Sequence, residues 1–208
     1  MKKGSTTESG ERSRRRILDA TIELVAEHGF TATSMNQVCE KAQIAKTGVY
    51  WHFKNKAGLM AAVIEELTGV WIDELRTAAL LEGSPGQRRA AMLDGFRELL
   101  NERPDRLRVL LVAVMERSSV DERIREAVLR ATDATIAAIA GGVEDTLGVK
   151  LPDADLLGHT VLALLEAALR RRLMEPDCDL DRLMDDMGRV LDVLVTERLS
   201  RQDQPNAG

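Results

Sequence analysis

TSMNQVCEKAQIAKTGVYWHFKNKAGL, residues 33–59, holds two short apolar-periodic segments on either side of a tight break. In the first, Met35, Val38, Cys39 and Ala42 recur at steps of three and four, which places them on one face of a helix running to about Ala42. Thr33 or Ser34 can cap it, and Gln37 stands three residues past Ser34, the spacing of a capping box. A break at Gln43 to Ala45 follows, and the next helix ends near His52. Two short helices joined so tightly outline a helix-turn-helix. The second helix of such a unit needs small or polar residues at its start to approach base edges, and Ala45, Lys46, Thr47 and Gly48 supply them. Tyr50, Trp51 and Phe53, half of the six aromatic residues in the chain, fall within four positions here. Val49 and Phe53, four apart, are expected to anchor the helix, leaving Tyr50, Trp51 and His52 on its other faces.

Upstream, Ile17, Leu18, Ile22, Val25 and Ala26 mark a first helix from Glu11 to His28, closed by Gly29, with residues 1–10 read as a loose arm. Arg14 to Arg16 fit a solvated face or an arm near phosphates equally well. Downstream, Asn55 can cap a fourth helix with the stripe Leu59, Val63, Leu67, Trp71 and Leu75. Gly83-Ser84-Pro85 with Gln87 starts a fifth, reaching about Leu100. Pro104 opens a sixth through Met115, and Ser119 with Glu122 a seventh through about Thr146, its last turns loosened by Gly141-Gly142. Pro152-Asp153 begins an eighth helix, Ala154 to Met174, and Asp179 a ninth to about Leu199. No strand pattern interrupts this series. The expected class is therefore all-α, with a helix-turn-helix domain over 11–54, a helical domain over 55–200 and a loose tail over 201–208.

Composition narrows the function. Of 208 residues, 44% are hydrophobic and 30% charged, which fits a soluble helical protein. No apolar run approaches the roughly 18 residues of a membrane span, and MKKGSTTESGERS has no apolar stretch behind its lysines, so a cytoplasmic location without membrane partners is expected. Residues 1–56 carry ten Lys and Arg against six Asp and Glu, whereas the remainder carries 19 against 28. A polyanionic partner is thus expected at the N-terminal quarter, despite the overall charge of −5. Cys39 and Cys178 lack metal-ligand spacing and read as free thiols, and neither a metal nor another cofactor is expected. Nucleophile elbow, P-loop, dinucleotide-binding and HExxH patterns are all missing, so an enzyme is not expected; a helical enzyme or interaction protein with a coincidental helix-turn-helix is the alternative.

The last two helices carry apolar stripes at least as wide as a monomer core requires. Leu157, Val161, Leu164, Leu165 and Ala168, with Met187, Leu191 and Leu194, are the residues expected to meet a second copy across a two-fold axis. The competing reading is that both helices close the chain's own core.

From Arg14 to Leu59, and above all over residues 33–59, the chain resembles the DNA-binding domain of the TetR family of bacterial transcriptional regulators. The resemblance implies about nine helices, a homodimer on palindromic double-stranded DNA, and a small-molecule effector that releases a repressor. It implies phosphate contacts from Tyr50, His52, Thr33 and Lys56, with Ser34, Lys46, Thr47, Gly48 and Trp51 completing the DNA-binding set. It also implies an effector pocket among helices 4 to 7, where Trp71, Met92, Phe96 and Met115 are the nominated lining. A body rich in Leu, Val, Ala and Met favours an apolar or amphipathic effector. Three positions depart from the family pattern: Gln43 where Gly is common, Ala45 where a Ser or Thr cap is common, and Trp51 where Tyr is usual.

Overall fold

The computed structural model describes residues 4–102, 104–117 and 121–202. All regular structure among them is helical: α1 Gly4–Ala32, α2 Met35–Ala42, α3 Lys46–Phe53, α4 Lys56–Ala79, α5 Pro85–Glu102, α6 Pro104–Arg117, α7 Glu122–Leu147, α8 Ala154–Met174 and α9 Leu180–Gln202. The chain divides into two compact units. One holds the chain through Thr68 together with Asp105–Ala131; the other holds Gly69–Pro104 and Thr132 onward.

The first unit is built on a shared core. Ile17, Leu18 and Val25 of α1, Val38 of α2, Val49 and Phe53 of α3 and Met60 and Val63 of α4 are buried with Val109 and Ala113 of α6 and Ile124 and Ala127 of α7. The first half of α4 and most of α6 thus pack with the helix-turn-helix, although the sequence suggests a boundary at residue 54. An apolar stripe states that a helix is packed, not against which core. α1 begins at Gly4, where a loose arm was expected through residue 10; no proline interrupts that segment, so the backbone ladder simply continues. At Gly29 the helix breaks with φ 81° and ψ 165°, a conformation that favours glycine, and a Cβ there would come within 2.8 Å of a Glu116 carboxylate oxygen.

Capping follows the sequence signals at most helix starts. Ser34 and Gln37 form the capping box of α2, and the Ser84 and Gln87 amides are bonded reciprocally by each other's side chains at the start of α5. Asp179 accepts from the Arg182 amide at 3.0 Å to start α9. The cap of α7 is Asp121, whose carboxylate accepts from the Arg123 and Ile124 amides at 3.1 and 3.4 Å. Ser119, the cap expected there, lies outside the described residues. Asp153 precedes α8 in the left-handed region and makes no side-chain cap.

In the second unit, close helix passes are made at glycines. A Cβ on Gly158 of α8 would lie 2.6 Å from the Ile136 carbonyl oxygen of α7, and one on Gly142 would lie 3.1 Å from the Met92 methyl of α5. α7 runs through Gly141-Gly142 to Leu147, with Gly142 buried at this pass. Arg97 of α5 ties α9 through Asp181 at 2.8 Å and Asp185 at 3.7 Å.

The expected dimer face is corrected in part. Leu157, Leu165, Ala168 and Met187 are 0–7% exposed within the single chain. Val161, Leu191 and Leu194 are half-buried against the cluster of Val143, Leu151 and Leu157, and Leu164 is half-buried. The wider side of each stripe therefore faces the chain's own core. What remains outward is a neighbouring strip: Leu156, Ala163, Ala167 and Met174 of α8, and Val190 and Val193 of α9, all exposed.

Candidate nucleic-acid interface and body cavity

α3 is seated by Val49 and Phe53, which are 0% and 6% exposed, as their spacing predicts. With that face inward, Ala45, Lys46, Thr47, Tyr50, Trp51 and Lys54 form an outward ridge, in which Trp51 is 77% exposed. An indole so exposed contributes little to the core; its edge meets the His52 ring at 4.7 Å between centroids. The Lys46 ammonium sits 5.8 Å from the Tyr50 ring centre, so cation and aromatic are presented as one surface. The turn before α3 is made by Gln43 in the left-handed region (φ 53°), and Ala45 provides no side-chain cap, so both sequence departures carry a local cost. Gly48 leaves little room beside it: a Cβ there would meet the Ile44 methyl at 3.1 Å, tighter than ordinary contact.

His52 is half-buried, and burial first, then the nearby Arg14 charge, lowers its pKa against a smaller opposing effect of Glu11. The imidazole therefore stays neutral near pH 7, with one N–H to offer.

Two expected phosphate contacts are placed differently. Thr33 is 3% exposed and its hydroxyl donates to the Gly29 carbonyl at 2.9 Å, so it closes α1 and presents nothing outward. Ser34 is exposed, with its hydroxyl engaged in the capping box. Lys56 is half-buried: its ammonium donates to the Thr31 carbonyl at 3.2 Å and lies 4.3 Å from the Phe30 ring centre.

Several residues that hold this surface escaped sequence reasoning. Arg16 donates to the Ala42 carbonyl at 2.6 Å, closing α2 just before the turn. Arg14 reaches Glu66 at 3.4 Å and the Phe53 ring, so two of the three leading arginines brace the head rather than wave in solvent. Glu116 of α6 accepts from the Thr31 amide at 3.0 Å and its hydroxyl at 3.1 Å. Gly58 carries no sequence signal beyond its position, yet a Cβ there would strike the Phe53 carbonyl oxygen at 2.6 Å. Asn55 caps α4 through the Gly58 amide at 2.7 Å, as expected.

The second unit holds an open-sided cavity of about 320 Å³. Trp71, Met92 and Phe96 line it as nominated, with Trp71 and Phe96 edge to face at 5.2 Å. Met115 does not: it is 82% exposed on α6, in the other unit. Nor does α6 contribute; the walls come from α4, α5, α7, α8 and α9, and Val161, Leu165 and Leu191, expected at a dimer interface, are among them. The charged lining residues are Arg89 and Asp192, paired with each other. Among the described residues no group of His, Cys, Asp and Glu is placed to hold a metal, and no helix is long and apolar enough to cross a membrane.

A buried-anchor recognition helix with an outward basic and aromatic ridge defines a helix-turn-helix DNA-binding protein. The family model for bacterial regulatory proteins of the tetR family matches residues 17–63. The transcriptional regulator TtgR of Pseudomonas putida is 27% identical over 183 residues, covering 83% of this chain and 85% of that one. Among solved structures, a transcriptional regulator from Rhodococcus sp. superposes with a TM-score of 0.71 at 16% identity, covering 88% of this chain and 96% of that one. FadR from Bacillus subtilis, in complex with stearoyl-CoA, gives 0.69 at 19% identity, covering 85% and 96%. These structural likenesses are likenesses of fold. Residues 17–63 thus match the tetR-family model, and the chain, similar over most of its length to a transcriptional regulator, is a DNA-binding transcriptional regulator.

Proposed function

We propose that the protein is a cytoplasmic, non-enzymatic repressor that binds a palindromic operator as a homodimer and is released by a small apolar or amphipathic effector. The observation that carries the DNA half is the α3 ridge, in which Lys46, Thr47, Tyr50 and Trp51 face outward while Val49 and Phe53 are buried. Two such helices would enter successive major grooves about 34–36 Å apart. Tyr50 and His52 act on phosphates, joined by Lys56 once its ammonium leaves the Thr31 carbonyl; Lys46 to Gly48 act on base edges, and Trp51 on whichever of these its exposed indole reaches. Thr33 is left out of that set, and Ser34 keeps its capping role.

For dimerisation, the outward strip of Leu156, Ala163, Ala167 and Met174 with Val190 and Val193 replaces the buried residues first nominated. Apolar side chains left exposed along a helix pair favour burial against a second copy. Val193→Lys should convert the dimer to monomer in sedimentation; an unchanged dimer would move the interface elsewhere.

The effector half rests on the cavity, whose lining is largely apolar and whose volume falls at the low end of the roughly 300–1,000 Å³ of small-molecule sites. A ligand there releases DNA only if it binds one arrangement of the heads more tightly than the other. α4 passes from one unit into the other and is the proposed route of that coupling. Gel retardation on genomic fragments tests the whole reading: retained palindromes with steeply salt-dependent affinity are expected, and no retention at low salt would overturn it.

A further inference from the structure

We propose that the cavity selects an amphipathic carboxylate, an apolar body bearing one negative charge, held at Arg89; this rests on reading the cavity as the effector site. Its walls are apolar apart from Thr146 and the Arg89–Asp192 pair, the only charged groups among the lining residues, so a charged ligand is expected to exchange with one partner of that pair. A carboxylate would take the place of Asp192, and a cation that of Arg89.

Three observations favour the carboxylate. Asp192 is the more exposed partner, 53% against 40% for Arg89, so it is the group that can turn to water while the guanidinium stays. Pro85 and Gly86, the first turn of α5, line the same cavity and bring the positive end of an 18-residue helix to it. The capping box of that helix engages the Ser84 and Gln87 amides and leaves the Gly86 amide out. Arg88, on the same turn, donates to the carbonyl of the lining residue Thr146 at 2.7 Å and has no carboxylate partner among the described residues; its Nε is buried without a hydrogen bond. Two guanidiniums and a helix N-terminus against one carboxylate leave the local balance positive. An incoming cation would meet Arg88 and the helix end unfavourably; an incoming anion restores neutrality once Asp192 swings away.

Trp71 lines the cavity and Trp51 is the only other tryptophan, so in a Trp51→Phe background the fluorescence reports the cavity alone. Octanoate, 1-octanol and octyltrimethylammonium share one chain and differ in headgroup charge. Octanoate is expected to bind about tenfold more tightly than octyltrimethylammonium. Arg89→Gln should weaken octanoate about tenfold and leave 1-octanol within about twofold, whereas Asp192→Asn should tighten octanoate several-fold. Equal or tighter binding of the cation, or an Arg89→Gln variant that keeps octanoate affinity, overturns the carboxylate preference alone. Failure of all three probes to titrate overturns the cavity reading with it. DNA retention by the chain that keeps Trp51 is the separate gauge of the regulator reading, and an unchanged urea midpoint is the gauge of folding of the variants.

Discussion

The two units are held by different mixtures of interaction. In the first, side chains are tied to particular backbone atoms: Ser34 to the Gln37 amide, Asn55 to the Gly58 amide, Arg16 to the Ala42 carbonyl and Glu116 to the Thr31 amide. The second has such bonds too, at Ser84, Asp179 and Arg88, but its shape also depends on how closely helices pass at Gly142 and Gly158, and on a cavity left between them. Directional bonds fix angles, and a recognition helix must match a groove whose dimensions scarcely vary. Apolar faces fix only distance, and a wall of Leu, Val and Met can change residue by residue while the helices stay in place.

The contrast can be broken most sharply at Phe53. Phe53→Ala removes a 6%-exposed anchor of α3 and should cost about 4 kcal/mol in urea unfolding, with DNA retention lost. A loss well below that would mean α3 is not held by its aromatic anchor. Tyr50→Ala and Trp51→Ala should each weaken DNA binding by about 2 kcal/mol, with the melting temperature unchanged. A drop in melting temperature instead would make either ring part of the fold. Ser34→Ala should cost about 1 kcal/mol of stability, because it deletes the cap of α2.

A smaller effect concerns protons. Burial and Arg14 lower the His52 pKa in the free protein, so its folded-state contribution to stability is present above the ordinary value near 6.5 and declines as pH falls below it. A phosphate beside the ring would raise the pKa again. DNA binding should then take up a proton and tighten on acidification from about pH 7.5 to 5.5, by no more than about tenfold per pH unit, the limit for one proton. His52→Gln should flatten that slope in fluorescence-anisotropy titrations; an unaltered slope removes His52 from the phosphate set. The smallest change is expected from Met115→Ser, which should leave octanoate binding as it was, since this side chain is exposed in the other unit.

The same contrast explains what could be read from sequence. Head features announce themselves locally: Ser34 with Gln37 as a box, Asn55 as a cap, Val49 with Phe53 as one face, Ala45 as a missing cap. Each depends on neighbours within four positions. Braces such as Arg16 to Ala42 and Glu116 to Thr31 join residues 26 and 85 positions apart, and no local spacing signals them. Thr33 and Ser34 were interchangeable as letters, and only the fold sends one hydroxyl inward to Gly29. In the body, helix count and limits were legible from Pro, Gly and capping residues. Which side of each wide stripe faces in was not, because Leu165 and Leu156 are equally apolar yet 7% and 59% exposed.

Gly158 carries a consequence for anyone wishing to retune this regulator as a sensor. The α8 backbone lies so near the Ile136 carbonyl that a single methyl would not fit, and the next turns of α7 and α8 carry Ile139 and Val161 into the cavity wall. A mutant library aimed at new inducers should leave Gly158 and Gly142 invariant and randomise wall positions such as Val161, Leu165 and Leu191, where side-chain volume can change without respacing the scaffold.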